Sequence, residues 1–234
     1  MNRIVALGVN DLKNIFRDRT LTLIFFVPFV IIVLLRFGMP VLAEHFPVIV
    51  GYYPPILAFF CYMIVTFPAF LISFIMLDEK DEDVLTVIRV MPFSLPHFVA
   101  YRVLLILILG TVFSTLTILL SRLVQTGLLV AFSISVLFAL TAPVITLTVV
   151  TFARNKIEGL SILKGLSTIL MLPLLSFFIN SSWKLVLSVI PVFWTYMAFK
   201  ELSINMNYVL YLSVGMAFHA LLLAVLYRRF KDKA

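Results

Sequence analysis

Apolar residues run through this chain in long blocks, and polar residues gather in the short stretches between them. A helix of about 20 apolar residues crosses the roughly 30 Å of hydrocarbon in a bilayer. Six blocks have or approach that length, at 20–41, 53–77, 98–120, 128–152, 165–179 and 208–227, so the pattern predicts six transmembrane helices. The fifth is short. The first is too long for the core of a cleaved signal and carries no small-residue cleavage pattern, which predicts an anchor that stays in place. A further block, LVLSVIPVFWTYMAF, is broken by Pro191 and too short for a comfortable crossing. Within 180–205 it reads either as an external re-entrant hairpin with Trp183, Trp194 and Tyr196 as interfacial aromatics, or as a helix lying flat on the membrane.

The polar stretches have patterns of their own. In 1–19, Val5, Val9, Leu12 and Phe16 recur at helical spacing while Arg3, Asp11, Lys13, Asn14, Arg17 and Asp18 are polar. This predicts an amphipathic helix along the membrane surface, serving as a plain anchor or in a mechanical role. In 78–97, the acids Asp78, Glu79, Asp81, Glu82 and Asp83 precede Val84, Val87, Ile88 and Met91 at offsets that form one helical stripe, with Leu85 beside it. Negative charge at a helix start complements its macrodipole, and Pro92 ends the pattern. So short a helix is marginal alone. It must rest on its own bundle or on a separate protein.

Composition fits a lipid surrounding. Of the 234 residues 63% are hydrophobic and 12% charged, against about 25% charged in a typical soluble domain. The mean hydropathy is +1.16. A net charge of +7 does not point to nucleic acid, because the bases flank apolar segments, where they suit anionic headgroups. With the amino terminus in the cytoplasm, only Arg36, Arg122, Lys184 and Lys200 of the 18 lysines and arginines fall outside. That bias predicts that both termini are cytoplasmic, and the expected location of the multi-pass chain is a plasma membrane, such as a bacterial cytoplasmic membrane.

Candidate chemistry is sparse. A phosphate-binding loop needs Gly-x4-Gly-Lys-Ser/Thr, and Gly159 and Gly165 are mis-spaced and followed by Leu166. The three histidines are scattered, which predicts no metal site, and Cys61 reads as a packing residue. No catalytic residue is expected. Arg36 can snorkel to the surface and His219 reads first as a hydrogen-bonded packing residue in the last span; lining a path is the second reading of each. Small hydroxyls from Thr111 to Ser121 suit close helix packing, a dimer seam or a path. Prolines 28, 68, 143 and 173 predict kinks. Every acid reads as loop or terminal, which disfavours an ion-coupled secondary transporter, and the lack of a second acidic cluster disfavours a lipid-modifying membrane enzyme.

Three stretches resemble the transmembrane subunits of type-2 ATP-binding-cassette (ABC) exporters. LKNIFRDRTLTLIFFVP looks like that family's amphipathic surface helix, DEKDEDVLTVIRVMPFSLPHFVAYR like its cytoplasmic coupling loop with Leu85, Ile88 and Pro92 in register, and IPVFWTYMAFKEL like its external re-entrant segment. Where the family commonly has Gly-Thr-Leu-Glu, this chain has Asp83, Val84, Leu85 and Thr86. The resemblance implies an all-α permease: a surface helix at 1–19 (Phe16, Arg17, Asp18), a six-span domain at 20–234, a coupling loop at 78–97 and a re-entrant segment at 180–205. It further implies that Glu79, Glu82, Leu85 and Ile88 contact an ATPase subunit, present in two copies and carrying ATP and Mg, while this chain binds no cofactor. A second permease copy or a sister permease would complete a complex that exports a hydrophobic or amphipathic drug, peptide or lipid-like molecule.

Overall fold

The computed structural model describes residues 13, 16–17, 19–82, 95–204 and 208–233, and among these every regular element is a helix. Leu85, Ile88 and Asp18 lie outside them. The order is α1 (Arg19–Val33), a π-helical turn (Leu34–Gly38), α2 (Met39–His45), a 3-10 turn (Pro47–Tyr52), α3 (Tyr53–Asp81), α4 (Leu95–Ser121), α5 (Leu128–Ala139), α6 (Thr141–Phe152), α7 (Lys156–Met171), 3-10 turns at Leu172–Phe177 and Ser182–Val189, α8 (Val192–Ile204) and α9 (Tyr208–Lys233). Among the described residues six stretches are long and apolar enough to cross a membrane: Thr22–His45, Pro47–Asp81, Val99–Ser121, Leu128–Phe152, Lys156–Phe177 and Tyr208–Asp232.

Prolines punctuate these helices, because a proline lacks the N–H that the carbonyl four residues earlier requires. Pro143 leaves the carbonyl of Ala139 without that donor, and α5 ends at Ala139. Pro40 does the same to Arg36, which lies in the π-helical turn. After Met171 the chain tightens into the 3-10 turn holding Pro173, whereas helix continues through Pro28 and Pro68. The fifth span starts earlier than its apolar run, at Lys156 rather than near Gly165. The cause is a cap: Asn155 Oδ1 accepts from the Glu158 N–H at 2.9 Å, and a Glu158 carboxylate oxygen accepts from the Arg154 N–H at 2.8 Å, so the polar first turns of α7 are helical too.

The core is organised around α3. Its 29 residues span about 44 Å at 1.5 Å each, longer than the hydrocarbon, and it packs against α1, α4, α6, α7 and α8. Leu57, Ala58, Cys61, Ile64, Val65 and Ile72 on it are buried. The α9 span, by contrast, is only 17% buried within this chain, a helix whose remaining surface is apolar enough for lipid. Small residues set two of the contacts. A Cβ at Gly159 would collide with the end of Leu77, and one at Gly215 would stand 3.0 Å from both Leu137 and Trp194. These glycines bring α7 onto α3, and α9 onto α5 and α8, at close range.

The segment before the last span is packed into the bundle. Phe193, Tyr196, Met197, Ala198 and Phe199 of α8 are fully buried. Tyr196, read from sequence as an interfacial aromatic, instead sits among the rings of Tyr62, Phe138 and Phe177 at 6.0–6.3 Å; Thr195 through Phe199 are all fully buried, so this part of α8 is enclosed on every side. Trp183 remains 78% exposed.

Candidate functional site

The sequence Asp78-Glu79-Lys80 closes α3, and successive residues of an α-helix project about 100° apart. Three consecutive side chains therefore reach three different neighbours. Asp78 Oδ1 takes the Lys156 ammonium at the start of α7 at 2.6 Å. Both oxygens of Glu79 accept from the two terminal nitrogens of Arg102 on α4, each at 2.6 Å. Lys80 Nζ donates to the carbonyls of Ala153 at 2.9 Å and Val150 at 3.3 Å, where α6 ends with orphan carbonyls and the negative pole of its dipole. One helix terminus thus fastens three others.

The three contacts differ in strength. Arg102 is 2% exposed and Glu79 20%, so a bidentate, charge-assisted pair stands largely out of water. Losing one partner of such a pair costs about 3–5 kcal/mol when the other charge stays buried. Asp78 and Lys156 are each more than 40% exposed, and exposed pairs contribute about 0–1 kcal/mol. Glu82, one residue past the end of α3, is exposed. Its N–H donates to Asp78 O at 2.9 Å, so the chain leaves for 83–94 directly from this cluster.

The resemblance groups Glu79 with Glu82 as acids that contact an ATPase subunit. The structure separates them: α3 continues to Asp81, so Glu79 belongs to the span's last turn and points at α4. Arg102 lies inside the apolar run 98–120, and an arginine there demands a counter-ion. That demand was the available signal for the pair. Lys80 and Lys156 carried no such signal, because their partners are a remote helix end and an exposed acid.

The other sequence candidates are dispersed. Phe16 and Arg17 are exposed, and the Phe16 ring meets Phe25 of α1 edge-on at 5.6 Å. Phe25 and Phe29 in turn pack on Phe113 of α4. Arg36 is partly buried in the π-helical turn. His219 is fully buried, with Nδ1 2.8 Å from Gly215 O and Nε2 3.4 Å from Thr141 Oγ1. A carbonyl accepts only, so Nδ1 carries the proton and Nε2 accepts from the Thr141 hydroxyl. That contact ties α9 to the first residue of α6, beside the break at Leu140. Among the described residues no group of three or more His, Cys, Asp or Glu is placed to hold a metal ion.

Comparison with known proteins gives a consistent identification. Residues 11–227 match the family described as "Fluoroquinolones export permease protein Rv2686c-like". Two proteins of Mycobacterium tuberculosis, the "Fluoroquinolones export permease protein" Rv2686c of strain H37Rv and its counterpart MT2760 of strain CDC 1551, are each 31% identical, over 98% of this chain and 94% of theirs. No solved structure matches. With six apolar helices and a match spanning nearly its whole length, the chain belongs to the Rv2686c-like family of ABC-type export permeases.

Proposed function

We propose that this chain is the transmembrane permease subunit of an ABC exporter that moves an amphipathic aromatic drug outward, using ATP and Mg held by a separate ATPase subunit. The observation that carries this reading is the 31% identity, over 98% of the chain, to proteins named as fluoroquinolone export permeases. In this reading both termini and the Asp78–Lys80 cluster face the cytoplasm of a bacterial cell membrane, as the distribution of lysine and arginine favours. Two permeases, alike or sister chains, pair with two ATPases, and Glu82, Leu85 and Ile88 enter the ATPase surface.

Force then has a defined route. ATPase closure displaces 82–94, and the displacement reaches the last turn of α3. Glu79, paired with Arg102, contributes by fastening that turn to α4, while Lys80 and Asp78 engage α6 and α7. Phe16 and Arg17 on the surface helix receive a second push, relayed through Phe25 to Phe113. Arg36 and His219 line or border the path that opens.

The test is transport in vesicles holding the permease and its ATPase. Combining Glu82→Lys with Leu85→Glu is expected to abolish drug-stimulated ATP hydrolysis and export while membrane insertion stays normal. Export at the wild-type rate by that variant, or by the permease without any ATPase, defeats the proposal.

A further inference from the structure

The end of the bundle opposite Asp78–Lys80 contains a cavity of about 300 Å³, a size found among small-molecule sites. It is lined by Tyr52, Pro54, Pro55, Phe177, Phe178 and Lys200, so the 3-10 turn before α3, the end of the fifth span and α8 all contribute. The rings of Tyr52 and Phe178 lie 6.2 Å apart with a 35° tilt. They keep 46% and 55% of their surface exposed, leaving aromatic faces accessible beside the cavity.

Lys200 supplies the charge. Its Nζ donates to Ser176 O and Phe177 O, each at 3.0 Å. Two carbonyls thus fix the position of the ammonium without neutralising it, and of its three donors one remains for a ligand. Burial and the nearby Lys184 charge push Lys200 below its ordinary value, with Glu201 opposing, as expected of a cation that a bound anion would relieve. Pro54 and Pro55 stiffen the facing wall through their fixed φ, so the shape is set before a ligand arrives.

We propose that this cavity is a subsite for a planar aromatic acid, with the ring system against Tyr52 and Phe178 and the carboxylate on Lys200. It rests on the exporter reading only for its role as an exit site, where the ligand meets water before release. Aromatic contacts favour offset or edge-on ring approach, and the ammonium–carboxylate contact is a charge-assisted hydrogen bond. A cation is repelled by Lys200, and a neutral analogue keeps only the ring contacts.

The experiment titrates a fluorescent quinolone carboxylate and its neutral carboxamide into the purified full-length permease in lipid nanodiscs, followed by fluorescence anisotropy. Lys200→Met is expected to weaken carboxylate binding about tenfold and to leave carboxamide binding within about twofold. Lys200→Arg is expected to retain the preference for the acid. Tyr52→Ala and Phe178→Ala are expected to weaken both ligands. If wild type binds neither ligand, or Lys200→Met weakens both equally or neither, the ammonium is a helix-end cap alone and the proposal is overturned. Export in vesicles with the ATPase is a separate arm: a preserved binding pattern without transport sinks the exporter reading and leaves the subsite standing, whereas transport without the binding pattern does the reverse.

Discussion

The two ends of the bundle hold their cations in different ways. At one end Arg102 and Lys156 meet carboxylates from α3, and Lys80 meets the final carbonyls of α6. At the other, Lys200 meets two backbone carbonyls, and the surrounding chain is a series of 3-10 turns at Pro47–Tyr52, Leu172–Phe177 and Ser182–Val189. Charge pairs between separate helices resist relative displacement, and one that stands out of water resists it most. Short 3-10 turns have poorer hydrogen-bond geometry than α-helix, and those at Pro47–Tyr52 and Ser182–Val189 bury no residue. The first end therefore ties α3 to α4, α6 and α7 through charged side chains. The second holds its lysine without any carboxylate, beside a cavity lined by Tyr52, Phe178 and Lys200.

The sharpest way to break this contrast is to remove Glu79. Glu79→Ala leaves the Arg102 guanidinium buried without its bidentate partner and is expected to cost about 3 kcal/mol or more, seen as a lower thermal midpoint and faster proteolysis of the purified permease. The exchanged pair, Glu79→Arg with Arg102→Glu, is expected to recover part of the loss. Equal stability of Glu79→Ala and wild type would remove the basis for calling this end fastened. Next in size is Lys80→Met, which strips the end of α6 of a charged donor and is expected to cost about 1.5–3 kcal/mol. The same assay checks it. Gly159→Val, which drives a side chain into Leu77, is expected to cost about 1–3 kcal/mol by overpacking, and to weaken a cysteine cross-link placed between α3 and α7.

Much of this architecture was readable from the chain, and the failures have physical causes. Apolar block length predicted the six spans, since hydrocarbon thickness acts directly on sequence. The apolar block at 165–179 misses the start of its helix at Lys156, because the first turns are polar and their helicity comes from the Asn155 cap, a local hydrogen bond that hydropathy does not register. Pro40 was overlooked among kink-forming prolines, although it lies four residues after Arg36, and the π-helical turn followed. The contrast between Glu79 and Glu82 was invisible because adjacent acids in a loop pattern look alike. Only the position of Arg102 one turn inside an apolar run distinguished them, and using it requires asking which acid supplies the counter-charge. Tyr196 departs from expectation for a related reason: aromatic residues favour interfaces on average, but α8 is enclosed on every side by its neighbours, with Thr195 through Phe199 all fully buried.

The exposed member of the charged end sets the lower bound on the comparison. Asp78 and Lys156 meet at 2.6 Å, yet each keeps over 40% of its side-chain surface in solvent. Water and salt screen such a pair, and holding two long side chains in one geometry costs entropy. Lys156→Gln is therefore expected to shift the thermal midpoint by an amount equivalent to less than about 1 kcal/mol, and the shift should shrink further as salt rises from 0.05 to about 0.5 M. Glu79→Ala should keep most of its effect over the same range, because burial shields its pair from ions. If both variants lost their effects in parallel with salt, the Glu79–Arg102 contact would be a surface pair in practice, and α3 would be joined to α4 no more firmly than to α7.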